Sequence, residues 1–263
     1  MSGEPSSWWG TFPVREGAAA RWRLGPLTLT IQHLRREWRV FRAVGDLAAR
    51  DRGVEVDVAL HEVQAGEYSA RFAAADGVNS VTVMPVLPDL AVVTRPEMPL
   101  TVPARGNVSV YVGSPLWLRI IEAGTERVLE DMAALGPRLT WFGPNSMDGE
   151  ICYASRTFGR LRLEEVQLQP HRVTTAVKIL NRAALPLTIE SLRLPVPRLS
   201  VYATPGADLW TEPLVLERGE GRDLAELRVS SGPPGEAHGA TLVAEPRESG
   251  GTNMIRAFGS LFS

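Results

Sequence analysis

The chain of 263 residues contains one cysteine, Cys152, and one lysine, Lys178. A single cysteine excludes an intrachain disulfide, and secreted domains of this size often carry several, so the count points to a reducing compartment. The opening MSGEPSSWWGTF has no basic region followed by an apolar one, so no secretory leader is expected, and the Asn107-Val108-Ser109 sequon reads as a chance match. Nowhere do 18 apolar residues follow one another, so no direct membrane span is expected. An excess of charge of one sign is lacking too. With 28 basic and 30 acidic residues the formal net charge is −2, and no global field recruits nucleic acid or anionic lipid.

Signatures of chemistry are equally sparse. Neither G-x-G-x-x-G nor G-x-x-x-x-G-K-[ST] occurs, so no glycine loop is present to wrap a phosphate with backbone N–H groups. The elbow G-x-S-x-G of serine hydrolases is missing. His33, His61, His171 and His238 are scattered without ligand spacing and read as polar surface residues, so no metal and no cofactor are expected. Cys152 sits between Ile151 and Tyr153 on an alternating run and reads as a buried core thiol. Glu55 and Asp57, Glu164-Glu165, and the Asp148-Gly149-Glu150 stretch have the form of paired carboxylates, but solvated strand faces account for them as well. No catalytic residue is named.

What the sequence has is alternation. In 54–60, VEVDVAL, the residues Val54, Val56, Val58 and Leu60 lie on one face and Glu55 and Asp57 on the other, the mark of a half-buried antiparallel strand. Similar runs occupy 27–33, 36–42, 80–84, 107–112, 116–121, 172–180, 198–203 and 225–230, separated by Gly, Pro, Asn or Asp. Twenty prolines break long helices. The expected fold is all-β, with two immunoglobulin-like β-sandwich units and a short C-terminal helix. The units are placed at 1–131 and 150–248, with a turn-rich junction at 132–149 and a tail at 249–263; the residues singled out at the junction are Trp141, Phe142 and Asp148 within it and Glu150 just past its end. Within 175–194, two runs about an Asn-Arg-Ala-Ala turn suggest a hairpin. A helix also fits 125–134, where Val128, Leu129 and Met132 fall at i, i+1 and i+4. In the tail, Met254, Ile255, Phe258, Leu261 and Phe262 make one apolar stripe on a helix capped by Asn253, a candidate docking element for a partner. Arginines and aromatics interleave in 21–42, as in single-strand nucleic-acid grooves, but on strands Trp22 and Trp38 would point inwards and leave the arginines outside.

The run LTWFGPNSMDGEICYAS at 139–155, preceded by RPEMPLTVPARGNVSVYVGSPLWLRII at 95–121, resembles a prokaryotic family catalogued as domain of unknown function 432. Its members carry a Tyr-Gly-Asp-Pro…Gly-x-Ile-Cys segment after a Pro-Leu-x-Ile-x-Pro strand. The matching residues are Phe142-Gly143-Pro144 and Gly149-Glu150-Ile151-Cys152, with Pro144 standing where the family has its acid and Asp148 coming later. The resemblance implies no known activity. Through an association with small-conductance mechanosensitive channels, it implies a soluble accessory or regulatory protein of a membrane channel, cytoplasmic and peripheral to the inner membrane through that partner. The function expected is thus non-enzymatic protein–protein contact. The alternative is a carbohydrate-binding module or carbohydrate-active enzyme, since sandwiches often present aromatic platforms and carboxylates.

Overall fold

A computed structural model describes residues 7–46, 53–61, 63, 70–143, 145, 147–220, 225–248 and the backbone of 254–257. Among them strands dominate, and the only helical pieces are two 3₁₀ turns, Leu163–Glu165 and Val196–Arg198. Among the described residues no helix is long and apolar enough to cross a membrane. The fold is all-β, as the alternation requires.

The chain divides into two compact units, one of Met1–Val86, Trp117–Leu135 and Gln169–His171, the other of Leu87–Leu116, Gly136–Leu168 and Arg172–Ser263. This corrects a division at one junction. A crossing does fall inside 132–149, but strands from 87–116 belong with the later part of the chain. The reason is pairing: every residue of Asn107–Pro115 is paired antiparallel with residues 172–180 of Arg172–Asn181.

The first unit contains a five-stranded sheet in the order Val54–Leu60, Ala19–Leu24, Leu27–Leu34, Glu37–Val44, Ala70–Ala73. A four-stranded sheet runs Gly10–Pro13, Ser80–Val86, Trp117–Glu122, Val128–Ala133. Trp22 and Trp38 are fully buried. Phe12 meets Trp22 edge-on, ring centroids 5.1 Å apart, joining the two sheets. Between Trp38 and Glu122 a second link forms: the indole N–H donates to the buried carboxylate at 2.9 Å, which also accepts the Ala75 N–H at 2.7 Å and pairs with Arg127 at 3.0 Å. Two expectations fail in this unit. Val128–Ala133 is a strand, not a helix, because its partner Trp117–Glu122 supplies a ladder and the Arg119–Asp131 cross-strand ion pair at 2.7 Å; a short apolar pattern yields to tertiary pairing. Val54 and Val58 are exposed because Val54–Leu60 is an edge strand, and Ala59 at φ 61° breaks its alternation.

In the second unit the eight-stranded sheet is ordered Thr241–Ala244, Val201–Ala203, Leu209–Trp210, Arg172–Asn181, Leu214–Arg218, Ala225–Val229, Met254–Ala257, with Asn107–Pro115 also on the central Arg172–Asn181. Leu214–Arg218 runs parallel to that central strand. Beside it lie a four-stranded sheet, Arg138–Phe142, Glu150–Thr157, Val92–Pro96, Leu192–Leu194, and a two-stranded one, Leu187–Ile189 with Leu100–Val102. The hairpin expected in 175–194 is absent. The buried Asn181 amide donates to the carbonyls of Val102, Pro103 and Leu185, turning the chain away from its own strand and towards 100–102. Arg172 ties two sheets together: its guanidinium donates to Gly113 O at 2.6 Å, Ser155 Oγ at 2.9 Å and Arg156 O at 3.2 Å. The tail also differs from expectation. Residues 254–257 form a strand paired antiparallel with Ala225–Val229, because a sheet edge offers alternate N–H and C=O groups of the tail partners outside its own segment. Asn253, Phe258, Leu261 and Phe262 lie outside the described residues.

Candidate functional site

The segment that carries the family resemblance folds as one hairpin. Arg138–Phe142 pairs antiparallel with Glu150–Thr157, setting Leu139 opposite Tyr153, Trp141 opposite Ile151, and Thr140 opposite Cys152. Pleating sends successive side chains to opposite faces. On the inner face Phe142 and Cys152 pack with Ala91 and Val93. Leu139, Trp141 and Ile151 stand on the outer face, 64%, 44% and 55% exposed. Met147, at the tip, is 90% exposed. Arg138–Phe142 is also the edge of its sheet.

Hydrogen bonds join the described residues of the tip. Asn145 Oδ1 accepts the N–H groups of Met147 and Asp148 at 2.8 and 2.7 Å, and Asn145 Nδ2 donates to Asp148 Oδ2 at 3.0 Å. An asparagine closing on its own backbone in this way makes a local turn. The Trp141 indole N–H donates to Asn145 O at 2.8 Å, laying the ring across the tip. Both glycines are required by close approach. A Cβ on Gly149 would meet Phe142 O at 2.6 Å and the Trp141 ring at 2.7 Å, and one on Gly143 would collide with Asp148 O. Asp148 therefore serves the turn. Glu150 does not face the apolar outer side; it pairs with Arg193 on the inner side, Nη2 to Oε2 2.9 Å.

Cys152 is fully buried, as its alternation implies. Burial pushes its thiol up to about 11, helped by the Glu150 charge and opposed by Arg193. A positive neighbour does exist, contrary to what the adjacent sequence suggests, but desolvation outweighs it. At neutral pH the sulfur is a protonated thiol and a poor nucleophile.

Other sequence candidates stay apart from this hairpin. Trp22 and Trp38 are buried while Arg23 pairs with Glu55 outside, so the arginine–aromatic run is an ordinary two-faced sheet. His33 and His171 are buried, a correction to their reading as surface residues. His33 Nδ1 lies 3.0 Å from Val14 O, and its ring stacks on Trp38 at 3.9 Å, which accounts for its burial. Met254 and Ile255 are placed in a strand of the large sheet and not with the hairpin. Among the described residues, no group of three or more His, Cys, Asp and Glu is arranged to hold a metal ion.

Sequence reasoning named Trp141 but missed Leu139, Met147 and Ile151. A signal was present: Leu139 and Trp141 alternate with Thr140, as Ile151 and Tyr153 do with Cys152, so one face had to differ from the other. Nothing local said which face lacked a cover.

Residues 8–262 match the family described as Protein of unknown function (DUF432). No curated protein and no solved structure matches the chain.

Proposed function

Since the chain belongs to this family over nearly its whole length, we propose that it acts through protein–protein contact, with the outer face of the hairpin as the contact surface. The observation that carries the reading is the group of four exposed apolar side chains, Leu139, Trp141, Met147 and Ile151, on a tip pinned by hydrogen bonds and two obligatory glycines. A rigid apolar surface loses little conformational entropy on binding, and contiguous exposed apolar area marks interaction sites. The reading includes two immunoglobulin-like sandwich units, no enzymatic activity, and a cytoplasmic protein held near the inner membrane by its partner. That partner is a membrane-channel subunit of the small-conductance mechanosensitive type.

A second reading is supported by the half-exposed Trp141 ring, an aromatic platform of the kind that stacks on sugars. Its neighbours favour protein, because leucine, isoleucine and methionine give a sugar's hydroxyls no partners.

The test is affinity purification in mild detergent from the native host, comparing the wild type with Leu139→Asp/Ile151→Lys. One stoichiometric partner is expected with the wild type and none with the variant, whose melting temperature stays within a few degrees because both positions are exposed. A partner retained by the variant defeats the hairpin reading. Saturable glycan binding lost in Trp141→Ala replaces it with the carbohydrate one.

A further inference from the structure

Two parallel strands of the second unit end side by side. Glu150–Thr157 sets Arg156 beside Arg95 and Thr157 beside Pro96 of Val92–Pro96, and the Glu97 N–H donates to Thr157 O at 3.1 Å. The chain past Thr157 is held close by. The Tyr111 N–H donates to Arg160 O at 2.8 Å, and the Arg160 guanidinium lies over the Phe158 ring, 4.6 Å from its centre. Residues 95–98 and 156–162 thus make one patch, and its charge is one-sided. It holds Arg95, Arg156, Arg160 and Arg162 against a single carboxylate, Glu97; the next acids, Glu164 and Glu165, belong to the following 3₁₀ turn. Neighbouring strands lie about 4.8 Å apart, so the Arg95 and Arg156 charges repel, and an anion between them removes the penalty. Arg23, Arg119 and Arg193 meet carboxylates elsewhere, but among the described residues none of these four arginines does. Arg172 adds a fifth positive charge against the same strand, donating to Arg156 O, Gly113 O and Ser155 Oγ and to no carboxylate. Three large apolar side chains of the patch, Met98, Phe158 and Leu161, are exposed beside these charges.

We propose that this patch docks on an anionic lipid bilayer, with Arg95, Arg156 and Arg162 meeting lipid phosphates and Met98, Phe158 and Leu161 entering the headgroup–acyl boundary. The two kinds of side chain match the two parts of such a surface. A guanidinium fork suits a phosphate, basic residues gather at an anionic leaflet, and exposed apolar side chains gain from leaving water at its boundary. The formal net charge of −2 does not oppose this, because charges more than about 10 Å away are largely screened. Other anions fit less of the patch. A single nucleic-acid strand needs successive rings to stack on, whereas the patch has one, Phe158, with Arg160 already over it. An acidic peptide would engage the arginines and leave Met98 and Leu161 in water. This contact is separate from that of the hairpin: pleating puts Arg156 on the opposite face of its strand from Ile151.

The test is co-sedimentation of the full chain with vesicles of phosphatidylcholine alone, and with vesicles containing about one-third phosphatidylglycerol. Binding is expected to the anionic vesicles and not to the neutral ones, with release as salt is raised. Arg95→Gln/Arg156→Gln is expected to weaken it about tenfold or more. Phe158→Ser/Leu161→Ser is expected to weaken it too, and Leu139→Asp/Ile151→Lys to leave it unchanged, so that this proposal and the hairpin reading fail separately. Sedimentation with neither vesicle, or equally with both, overturns the proposal, as does full binding by the arginine variant or by the Phe158/Leu161 variant. Release by inorganic phosphate at constant ionic strength overturns it in favour of a free-phosphate site. Saturable binding of labelled oligothymidylate or polyglutamate without vesicle binding overturns it in favour of those polyanions. The substituted side chains are exposed, so melting temperatures should stay within a few degrees. Should the arginine variant melt lower, Arg162→Gln/Met98→Ser puts the same question at two other exposed positions.

Discussion

Gly149 is small because the Trp141 ring lies where its side chain would be. Gly149→Ala is expected to cost about 1–3 kcal/mol, the usual range for overpacking, and to free the tip. Denaturant melts give the first effect, and quenching of tryptophan fluorescence by iodide gives the second. Cys152 permits a prediction with a sign. Its value rises from 9.0 to about 11 in the folded chain, so the folded state holds the thiol proton over a range where the unfolded chain releases it. That contribution is fully present below pH 9 and is lost as pH climbs to about 11. Tyr111, pushed up to about 12 by burial and by the Glu236 carboxylate that its hydroxyl donates to, extends the decline. Urea midpoints measured from pH 8 to 11 should therefore fall, and fall less in Cys152→Ala. A thiol reagent at pH 8 should label the native chain only after unfolding; rapid native labelling contradicts the burial. Glu122 separates charge from shape. Glu122→Gln keeps an oxygen for the Trp38 and Ala75 N–H groups, whereas Glu122→Ala leaves the buried indole N–H and the half-buried amide without it. The alanine variant should lose about 3 kcal/mol by chemical denaturation and the glutamine variant clearly less.

At the scale of strands, alternation located most of the elements, since the period of 2 is imposed by the pleat itself. It failed where a strand's worth depends on its neighbours. Val54–Leu60 alternates as well as any central strand, yet it is an edge and leaves Val54 and Val58 in solvent. Val128–Ala133 has helix-like spacing and becomes a strand because Trp117–Glu122 lies beside it. The tail's stripe of Met254 and Ile255 suits a helix or a strand equally over four residues, and the free edge at Ala225–Val229 decides. For the candidate site the same limit applies. The order Phe142-Gly143 and Gly149-Glu150-Ile151-Cys152 marked the place, and the buried Cys152 was evident from its neighbours. The apolar outer face was not, because an uncovered face and a covered one have the same composition.

For the molecule as a whole, the units are woven from several segments each, so a cut in the chain does not separate them. A fragment ending at residue 131 keeps Asn107–Pro115 but loses Arg172–Asn181, against which that strand is paired at every position. It should bind a hydrophobic dye and melt without cooperativity, while the full chain gives a sharp transition; a cooperative fragment would show that 87–116 can settle within the first part. No local pattern discloses this weaving, because each partner lies far away in sequence. The weaving also sets a timetable for a chain made from its N-terminus. All the segments of the first unit exist once His171 has been synthesised, but the large sheet of the second is complete only when Ala257 has been added. At ~5–20 residues per second, that interval is about 4–17 s. During it Asn107–Pro115 and the Arg138–Phe142 hairpin are held as unfinished sheet with open edges, a period in which a chaperone that shields β-edges would have its largest effect on yield.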